Sequence, residues 1–258
     1  MPFSGMLISL GTILRKDLLR ILRIWPQTFL PSVITSILYF LIFGAFLGER
    51  IGEVDGYSYV SFVIPGLVML AVVTNSFSNV ATVFFTSKFF MRNIDELLVS
   101  PTPPWVIIAG FVLSGMVRGI LVGIAVIAVS LFFAPLEIAH PVIVLLFLVL
   151  TSLIFSLGGL VNGIYAKSFD AITIVPTFVL TPLVYLGGVF YSIHILPPIW
   201  QTISLANPVL YLVNGFRFGF LGSADVSLSV SLSILFSLIT TLLVVNMYLL
   251  KKGLGLKQ

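Results

Sequence analysis

The sequence contains no cysteine and only two histidines, His140 and His194. The absence of cysteine excludes disulfide bonds, thiolate metal sites and cysteine nucleophiles. Each histidine flanks a long apolar run, and an ordinary histidine at a membrane surface is a simpler interpretation there than a metal ligand. We therefore predict no metal site in this chain.

The motifs of several enzyme classes are also missing. No G-x-x-x-x-G-K-[ST] loop is present to hold a nucleotide phosphate, and no HExxH pair is present to hold zinc. A serine protease within the membrane would need a deeply placed histidine, and an aspartyl protease would need two buried carboxylates. Only Asp170 lies near the end of an apolar run. We predict that the chain is not an enzyme by itself and binds no cofactor.

Charged residues are scarce as well. They make up 9% of the 258 residues, whereas hydrophobic residues make up 59%. A soluble domain carries about 25% charged residues, so the expected solvent of this chain is the bilayer. Apolar runs of 18 or more residues predict transmembrane helices. The predicted spans are 27–47, 59–85, 105–133, 141–165, one that follows Asp170 and ends near Tyr191, and 227–250.

Two further segments have their own patterns. Residues 4–23 place apolar side chains at helical spacing among charged ones, which is typical of an amphipathic helix at the membrane interface. Residues 192–225 are apolar but broken by prolines and glycines, so neither half can span the bilayer. We predict two short helices there, 198–206 and 208–220, that form a re-entrant hairpin.

The predicted fold is therefore an all-α membrane protein in which residues 1–258 form a single transmembrane domain. It has six transmembrane helices, an amino-terminal interfacial helix and a re-entrant helical hairpin between the fifth and sixth spans.

The basic residues are divided unequally between the two sides of this topology. Ten lie on one side, namely Arg15, Lys16, Arg20, Arg23, Lys88, Arg92, Lys167, Lys251, Lys252 and Lys257. The other side carries Arg50 and Arg217, and Arg118 lies within a span. The richer side is expected to be cytoplasmic, which predicts that both termini are cytoplasmic. The formal net charge of +4 follows from this orientation rather than from nucleic-acid binding.

Three polar residues interrupt the predicted spans: Asn75, Asn79 and Arg118. Arg118 lies 13 residues past Trp105, about 20 Å along a helix. A cation within the bilayer costs about 2.5–3.5 kcal/mol on insertion scales, so it should face the bundle or a watery cavity. We assign the three residues to a candidate translocation pathway or gate. The alternative for Arg118 is a structural cation capped by helix carbonyls or by an asparagine such as Asn75.

The segment 88–98 has two interpretations. It is either a solvated amphipathic helix between spans or a helix that docks in a partner's groove. Its apolar side chains, among them Phe90, Ile94 and Leu97, are many for a loop in water. This composition keeps docking to a partner open beside the solvated helix.

The second hairpin helix carries the remaining candidates. Asn207 and Pro208 open it, and Arg217 follows Asn214 by three residues and so shares its face. Arg217 can extend its stem to the outer headgroups, or it can tie the hairpin through Asp225. We favour the structural tie over contact with a substrate, because the charge lies near the exit.

Three runs resemble a known family: RNIDELLVSPTPPWVIIAG (92–110), VPTFVLTPLVYLGGVFYSIHILPPIWQ (175–201) and ANPVLYLVNGFRFGFLG (206–222). They resemble the membrane subunit of ABC-2 type transporters. The resemblance is to the small bacterial permeases of that family, and it covers essentially the whole chain.

The resemblance implies an exporter built from two copies of this chain, a homodimer, and two cytoplasmic ATPase subunits that bind the ATP and magnesium. It implies that residues 88–98 form a coupling helix in the ATPase groove, that residues 4–23 brace the same ATPase, and that residues 192–225 cap the outer side of the pathway. The candidate coupling residues are Arg92, Asn93, Ile94, Asp95, Glu96 and Leu97, with Glu96 at the family's acidic position.

The resemblance thus favours the permease subunit of an ATP-driven exporter in the inner (plasma) membrane. Its substrate class is expected to be amphiphilic: a drug, a lipid or a lipid-linked glycan. The alternative is a secondary transporter or channel that works without ATP. Such transporters place ionisable residues near the midplane, where this chain offers only Arg118 and no carboxylate.

Overall fold

The computed structural model describes residues 3–54, 56–91, 93–135 and 138–255. In chain order its helices are α1 (Phe3–Arg23), α2 (Trp25–Tyr39), α3 (Gly48–Ile51), α4 (Tyr59–Phe89), α5 (Asn93–Val99), α6 (Pro104–Ser130), α7 (Pro141–Tyr165), α8 (Phe169–Val175), α9 (Thr181–Leu186), α10 (Pro198–Leu205), α11 (Pro208–Leu221) and α12 (Leu228–Lys252). Two π-helical segments continue α2 and α8, at Phe40–Phe46 and Pro176–Leu180, and a 3₁₀ turn covers Ile193–Ile195. A two-stranded antiparallel hairpin, β1 (Glu53–Val54) with β2 (Tyr57–Ser58), precedes α4.

Six helical stretches are long and apolar enough to cross a membrane. They are Trp25–Gly44, Tyr59–Phe89, Pro104–Ser130, Pro141–Tyr165, Phe169–Leu186 and Leu228–Lys252. The predicted all-α fold with six transmembrane helices is confirmed. The ends differ by a few residues: the second span continues to Phe89, and the fifth ends at Leu186 rather than near Tyr191. Gly188 explains the early end of the fifth span, because its φ of 74° is left-handed and stops a helix.

The centre of the bundle is the contact between α4 and α7. Most of the apolar window of each helix is buried, 72% and 61% respectively. Gly159 of α7 comes so close to α4 that a Cβ built there would lie 2.3 Å from the Phe77 carbonyl oxygen. By contrast, only 17% of the corresponding window is buried in the first, fifth and sixth spans. These three spans therefore present most of their surface to the bilayer or to another protein.

The amino-terminal helix α1 covers the predicted interfacial segment and lies along the first half of α6. A Cβ built at Gly110 of α6 would lie 2.6 Å from the Ile13 side chain, so the two helices touch there. Ile13, Asp17 and Ile21 form the buried stripe of α1, at a spacing of four residues. Docking of α1 therefore places a carboxylate against the bundle.

The two short helices predicted between the fifth and sixth spans are present as α10 and α11. The carboxyl end of α11 lies beside the start of α7, where the His140 amide donates to the Gly219 carbonyl at 2.8 Å. The amino end of α11 is fixed by Asn207, whose side chain accepts from the Val209 amide and donates to the Leu183 carbonyl at 2.6 Å. The short length of both helices fits the predicted re-entrant hairpin, and insertion from the outer side stays a prediction.

Candidate translocation pathway and coupling surface

A cavity of about 310 Å³ lies on the face formed by α2, α4 and α9. Its wall is rich in hydroxyl groups, which come from Ser32, Thr35, Ser36, Tyr39, Thr74, Thr181 and Tyr185. Leu67, Leu70 and Ala71 contribute an apolar side. A wall of this mixed character suits a molecule that carries both polar and apolar groups.

Asn75 supports the wall of this cavity. Its side-chain amide donates to the Ser32 hydroxyl at 2.9 Å and to the Ala71 carbonyl of its own helix at 2.9 Å. Asn75 therefore links α4 to α2 and holds Ser32 in place. Its predicted place in the pathway set fits this position.

Four aromatic side chains pack together where α2 approaches the segment after α9. The hydroxyls of Tyr39 and Tyr185 are 3.4 Å apart, and the Phe43 and Phe190 ring centroids are 4.7 Å apart. Tyr185 also stacks on Phe190 at 5.6 Å. Because Tyr39 and Tyr185 line the cavity as well, these rings close one of its sides. Sequence reasoning missed this cluster, since Tyr39 and Tyr185 are 146 residues apart in the chain.

Arg118 and Asn79 do not lie at that cavity. One Arg118 guanidinium nitrogen donates to the Asn79 side-chain oxygen at 3.2 Å, and Arg20 of α1 donates to the same oxygen at 2.9 Å. The Arg20 Nε atom also lies 3.9 Å from an Asp17 carboxylate oxygen. We call Asp17, Arg20, Asn79 and Arg118 the arginine cluster. Asn75 was suggested as the asparagine that caps Arg118, but the asparagine that accepts from Arg118 is Asn79.

From the positions of Arg20 and Asn79 along the chain, we expect the arginine cluster to lie near one boundary of the bilayer. Helix α4 has 31 residues and begins at Tyr59. The distance along its axis from Tyr59 to Asn79 is about 30 Å, close to the thickness of a hydrocarbon core. Arg20 lies just before the first span, which begins at Trp25. The charge distribution predicts this side to be cytoplasmic. Because α6 contacts α1 at Gly110 and Arg118 shares the Asn79 oxygen with Arg20, we expect Arg118 to be shallower than the count from the start of its helix indicates.

Asp17 and Arg20 were not predicted as members of a site. A signal was present in the sequence, since Asp17 lies four residues from both Ile13 and Ile21 and so falls in the apolar stripe of α1. Burial is the largest influence on the Asp17 carboxyl and raises its pKa, and the nearby Arg20 opposes this rise.

The coupling helix predicted over 88–98 is shorter in the structure: Lys88 and Phe89 end α4, and a separate helix, α5, begins at Asn93 and lies close to α1. Ile94 is 2% exposed and packs into the core, so its position does not support a contact with a partner. Asp95 and Glu96 are exposed, and Leu97 is half-buried. Arg92 and the side chain of Asn93 lie outside the described residues. A second cavity, of about 290 Å³, is lined by Thr12, Ile13, Lys16, Asp17, Ser87, Glu96, Leu97 and Phe111, and so joins α5 to α1.

Arg217 is tied into the outer part of the bundle. It donates to the Gly188 carbonyl at 2.5 Å, its guanidinium lies 3.9 Å from the centroid of the Phe62 ring, and it pairs with Asp225 at 3.9 Å. Its side chain is 4% exposed, so it does not extend to the headgroups. The Asp225 tie is present as expected, and Pro208 begins the helix that carries Arg217.

The two histidines lie in ordinary surroundings. His140 stacks on Phe218 at 5.2 Å, and His194 lies 3.8 Å from Asp225. Within residues 3–54, 56–91, 93–135 and 138–255, no group of three or more His, Cys, Asp or Glu side chains is arranged to hold a metal ion.

Comparison with known proteins identifies the family. The family model described as ABC-2 type transporter matches residues 8–221. The chain is 52% identical over 251 residues to the inner membrane transport permease YadH of Escherichia coli (strain K12), covering 97% of this chain and 98% of that protein. It is 25% identical over 239 residues to nodulation protein J of Rhizobium leguminosarum bv. viciae, covering 89% and 90% of the two chains. This multi-pass membrane chain belongs to the ABC-2 type transporter family.

Proposed function

We propose that the chain is the membrane-spanning permease subunit of an ATP-driven exporter in the inner membrane. The observation that carries this proposal is the hydroxyl-rich cavity on the face formed by α2, α4 and α9. It is bounded by the first and fifth spans, of which only 17% is buried within the chain. A second copy facing this side would complete a pathway. The name of the Escherichia coli relative, an inner membrane transport permease, supports both the location and transport.

The source of energy is proposed to be a separate ATPase subunit, two copies of which bind the ATP and magnesium. Helix α5 supports this proposal because it presents charge and apolar surface together. Asp95 and Glu96 are exposed, as are the apolar side chains of Leu98 and Val99. Ile94 anchors the helix to the bundle. A short helix fixed by one buried side chain can transmit movement between a docked partner and the spans.

The substrate is proposed to be an amphiphile that crosses outward: a drug, a lipid or a lipid-linked glycan. Hydroxyl groups on one wall of the cavity and leucine and alanine on another can contact the two parts of such a molecule. The aromatic side chains of Tyr39, Phe43, Tyr185 and Phe190 would have to separate for a large headgroup to pass. Their contacts are therefore proposed to belong to a closed state.

Transport into vesicles distinguishes this proposal from an ATP-independent transporter. The chain would be reconstituted with its ATPase partner, with the cytoplasmic side outward, and a fluorescent amphiphile would be added outside. ATP is expected to drive accumulation, whereas a non-hydrolysable analogue and an imposed proton or sodium gradient are not. Accumulation driven by an ion gradient without ATP would contradict the proposal and support a secondary transporter.

A further inference from the structure

The arginine cluster has more positive charge than its protein partners balance. Two guanidinium groups converge on one neutral oxygen of Asn79, at 2.9 and 3.2 Å. Asp17 is the one carboxylate that the described residues place in an ion pair here, at 3.9 Å from Arg20. Two cations and one carboxylate leave a net charge of +1. Like charges held this close to an apolar phase repel each other strongly unless an anion lies nearby.

The cluster also has hydrogen-bond donors that other described residues do not use. The Nε atoms of Arg20 and Arg118 and the side-chain amide nitrogen of Asn79 are buried donors with no hydrogen-bond partner within the described part of the chain, and the Asp17 Oδ2 atom is a buried acceptor without one. Asn79 is 1% exposed. Buried polar atoms are nearly always paired in folded proteins. These three donors, two of which belong to the guanidinium groups themselves, outnumber the one unpaired acceptor and so indicate a ligand that accepts hydrogen bonds and carries negative charge.

The cluster can be reached from the membrane surface. The Arg20 side chain is 34% exposed, and Arg118 is half-buried rather than enclosed. Because Arg20 lies just before the first span, which begins at Trp25, we expect the cluster at the headgroup level of the leaflet that the amino terminus faces. Guanidinium groups bind phosphate oxygens through paired hydrogen bonds, and more strongly than neutral donors bind them.

We infer that the arginine cluster binds the anionic phosphate headgroup of an amphiphile in the cytoplasmic leaflet. Arg20 and Arg118 contact the phosphate, Asn79 holds the two guanidinium groups together, and Asp17 limits the net charge. The amphiphile is either a resident phospholipid or the transported molecule. Headgroup binding does not depend on the proposed ATP-driven transport, and only the choice between these two sources does.

Binding can be measured on the full-length permease without its ATPase. The purified chain would be titrated at pH 8 with phosphatidylglycerol or with phosphatidylcholine, and bound lipid would be counted by native mass spectrometry. We expect tighter binding of phosphatidylglycerol to the wild type, and a roughly tenfold loss of that preference in Arg20→Gln and in Arg118→Gln. The matched control is Arg23→Gln, which removes the same charge from an exposed position of α1 and should keep the preference.

A substitution that is expected to strengthen binding distinguishes a headgroup site from a cluster that only stabilises the fold. Asp17→Asn removes the negative charge, so it should strengthen the binding of phosphatidylglycerol, and Arg118→Lys should keep most of it. Equal losses in the Arg23→Gln control, or unchanged binding in the Arg20 and Arg118 variants, would overturn the inference. If Arg118→Gln fails to fold, Asp17→Asn decides, and no gain in affinity counts against the site.

The two sources are separated by reconstituting the permease with its ATPase in vesicles that carry fluorescent phosphatidylglycerol. ATP-dependent movement of the lipid to the other leaflet, reduced in Arg118→Gln, identifies the headgroup as that of a transported molecule. Binding without movement identifies a resident lipid. Failure to find any ATPase partner would contradict the proposed function, but it would leave the binding result intact.

Discussion

At the scale of single residues, the buried cation of the outer hairpin is held by groups from three parts of the chain. Arg217 contacts the Gly188 carbonyl, the Phe62 ring and the Asp225 carboxylate. Asp225 in turn accepts hydrogen bonds from the Ser192 hydroxyl and the Ile193 amide. Because one arginine connects α11, α4 and the segment after α9, its removal should loosen the whole outer cap.

The first prediction concerns Arg217→Ala. Removing one partner of a buried ion pair should cost about 3 kcal/mol of stability, mostly in the cap. Since the chain has no cysteine, a single Ser204→Cys probe, at the buried position of α10, can be tested with a membrane-impermeant thiol reagent. Labelling should be faster in the Arg217→Ala background, with substrate selectivity unchanged. Arg50→Ala, at an exposed outer arginine, is the control. An altered substrate selectivity with normal labelling in Arg217→Ala would show that Arg217 contacts the substrate.

The second prediction concerns Glu96 of α5. Its side chain is exposed and lies at the cavity between α5 and α1. Glu96→Ala should leave expression and membrane insertion intact but reduce stimulation of the ATPase in the assembled complex, and Glu96→Arg should reduce it further. Asp170→Ala, an exposed carboxylate at the start of α8, is the matched control. Normal stimulation in Glu96→Arg would contradict the coupling assignment.

Sequence reasoning located the polar residues of the spans but not their partners. That Arg118 must avoid lipid follows from the cost of burying a charge, and this was predictable. Arg118 shares the Asn79 oxygen with Arg20, and this depends on how α1 docks along α6. Arg20 is 59 residues from Asn79 in the chain, and Arg118 is 39 residues from it. Hydrophobic periodicity fixes the face of a helix, whereas the neighbour of that face depends on tertiary packing.

At the scale of elements, the bundle depends on close contact between α4 and α7. Small residues allow transmembrane helices to approach and gain van der Waals contact. Gly159 is such a contact, whereas a Cβ at the adjacent Gly158 would lie 3.5 Å from the Phe77 ring, an ordinary distance. The two glycines therefore form a matched pair at neighbouring positions of one helix.

The third prediction uses this pair. Gly159→Ala should destabilise the protein by about 1–3 kcal/mol, because the new methyl group would force the helices apart. Gly158→Ala should be neutral or stabilising by up to about 1 kcal/mol, since alanine favours a helix. Unfolding of the purified protein by heat in one detergent would measure both. Equal effects of the two substitutions would contradict the packing described for α4 and α7.

Helix starts were predictable and helix ends less so. Pro104, Pro141, Pro198 and Pro208 each lie at the first position of a helix, where the missing amide hydrogen costs nothing. The fifth span was predicted to end near Tyr191, but it contains a π-helical segment and ends at Leu186. Apolar composition continues past that point, so hydropathy alone does not mark the end.

At the scale of the whole molecule, the orientation of the chain rests on its basic residues. Ten lie on one side of the predicted topology and two on the other. Of these, Arg92 and Lys257 lie outside the described residues. The described cations include Lys251 and Lys252 at the end of α12, which are predicted to lie on the same side as Arg20 and Arg23 of α1.

The fourth prediction is that both termini are cytoplasmic. A reporter that is active only when exported should be inactive when fused after Gln258, a position outside the described residues. The same reporter inserted at Ser223, in the loop between α11 and α12, should be active and serves as the control. Activity of the Gln258 fusion would reverse the assigned orientation.

The central claim is that this chain is one half of the membrane part of an ATP-driven exporter. A cavity open on the face formed by α2, α4 and α9 and an exposed helix α5 beside α1 would both gain partners in such an assembly.

The most direct measurement is the composition and mass of the complex that copurifies with the tagged chain from its own membrane. The account predicts two copies of this chain with two copies of a nucleotide-binding ATPase, and a smaller share of bound ATPase, with the second permease copy unchanged, in Glu96→Arg. A chain that purifies without any ATPase, and still transports its substrate in vesicles lacking ATP, would contradict the account.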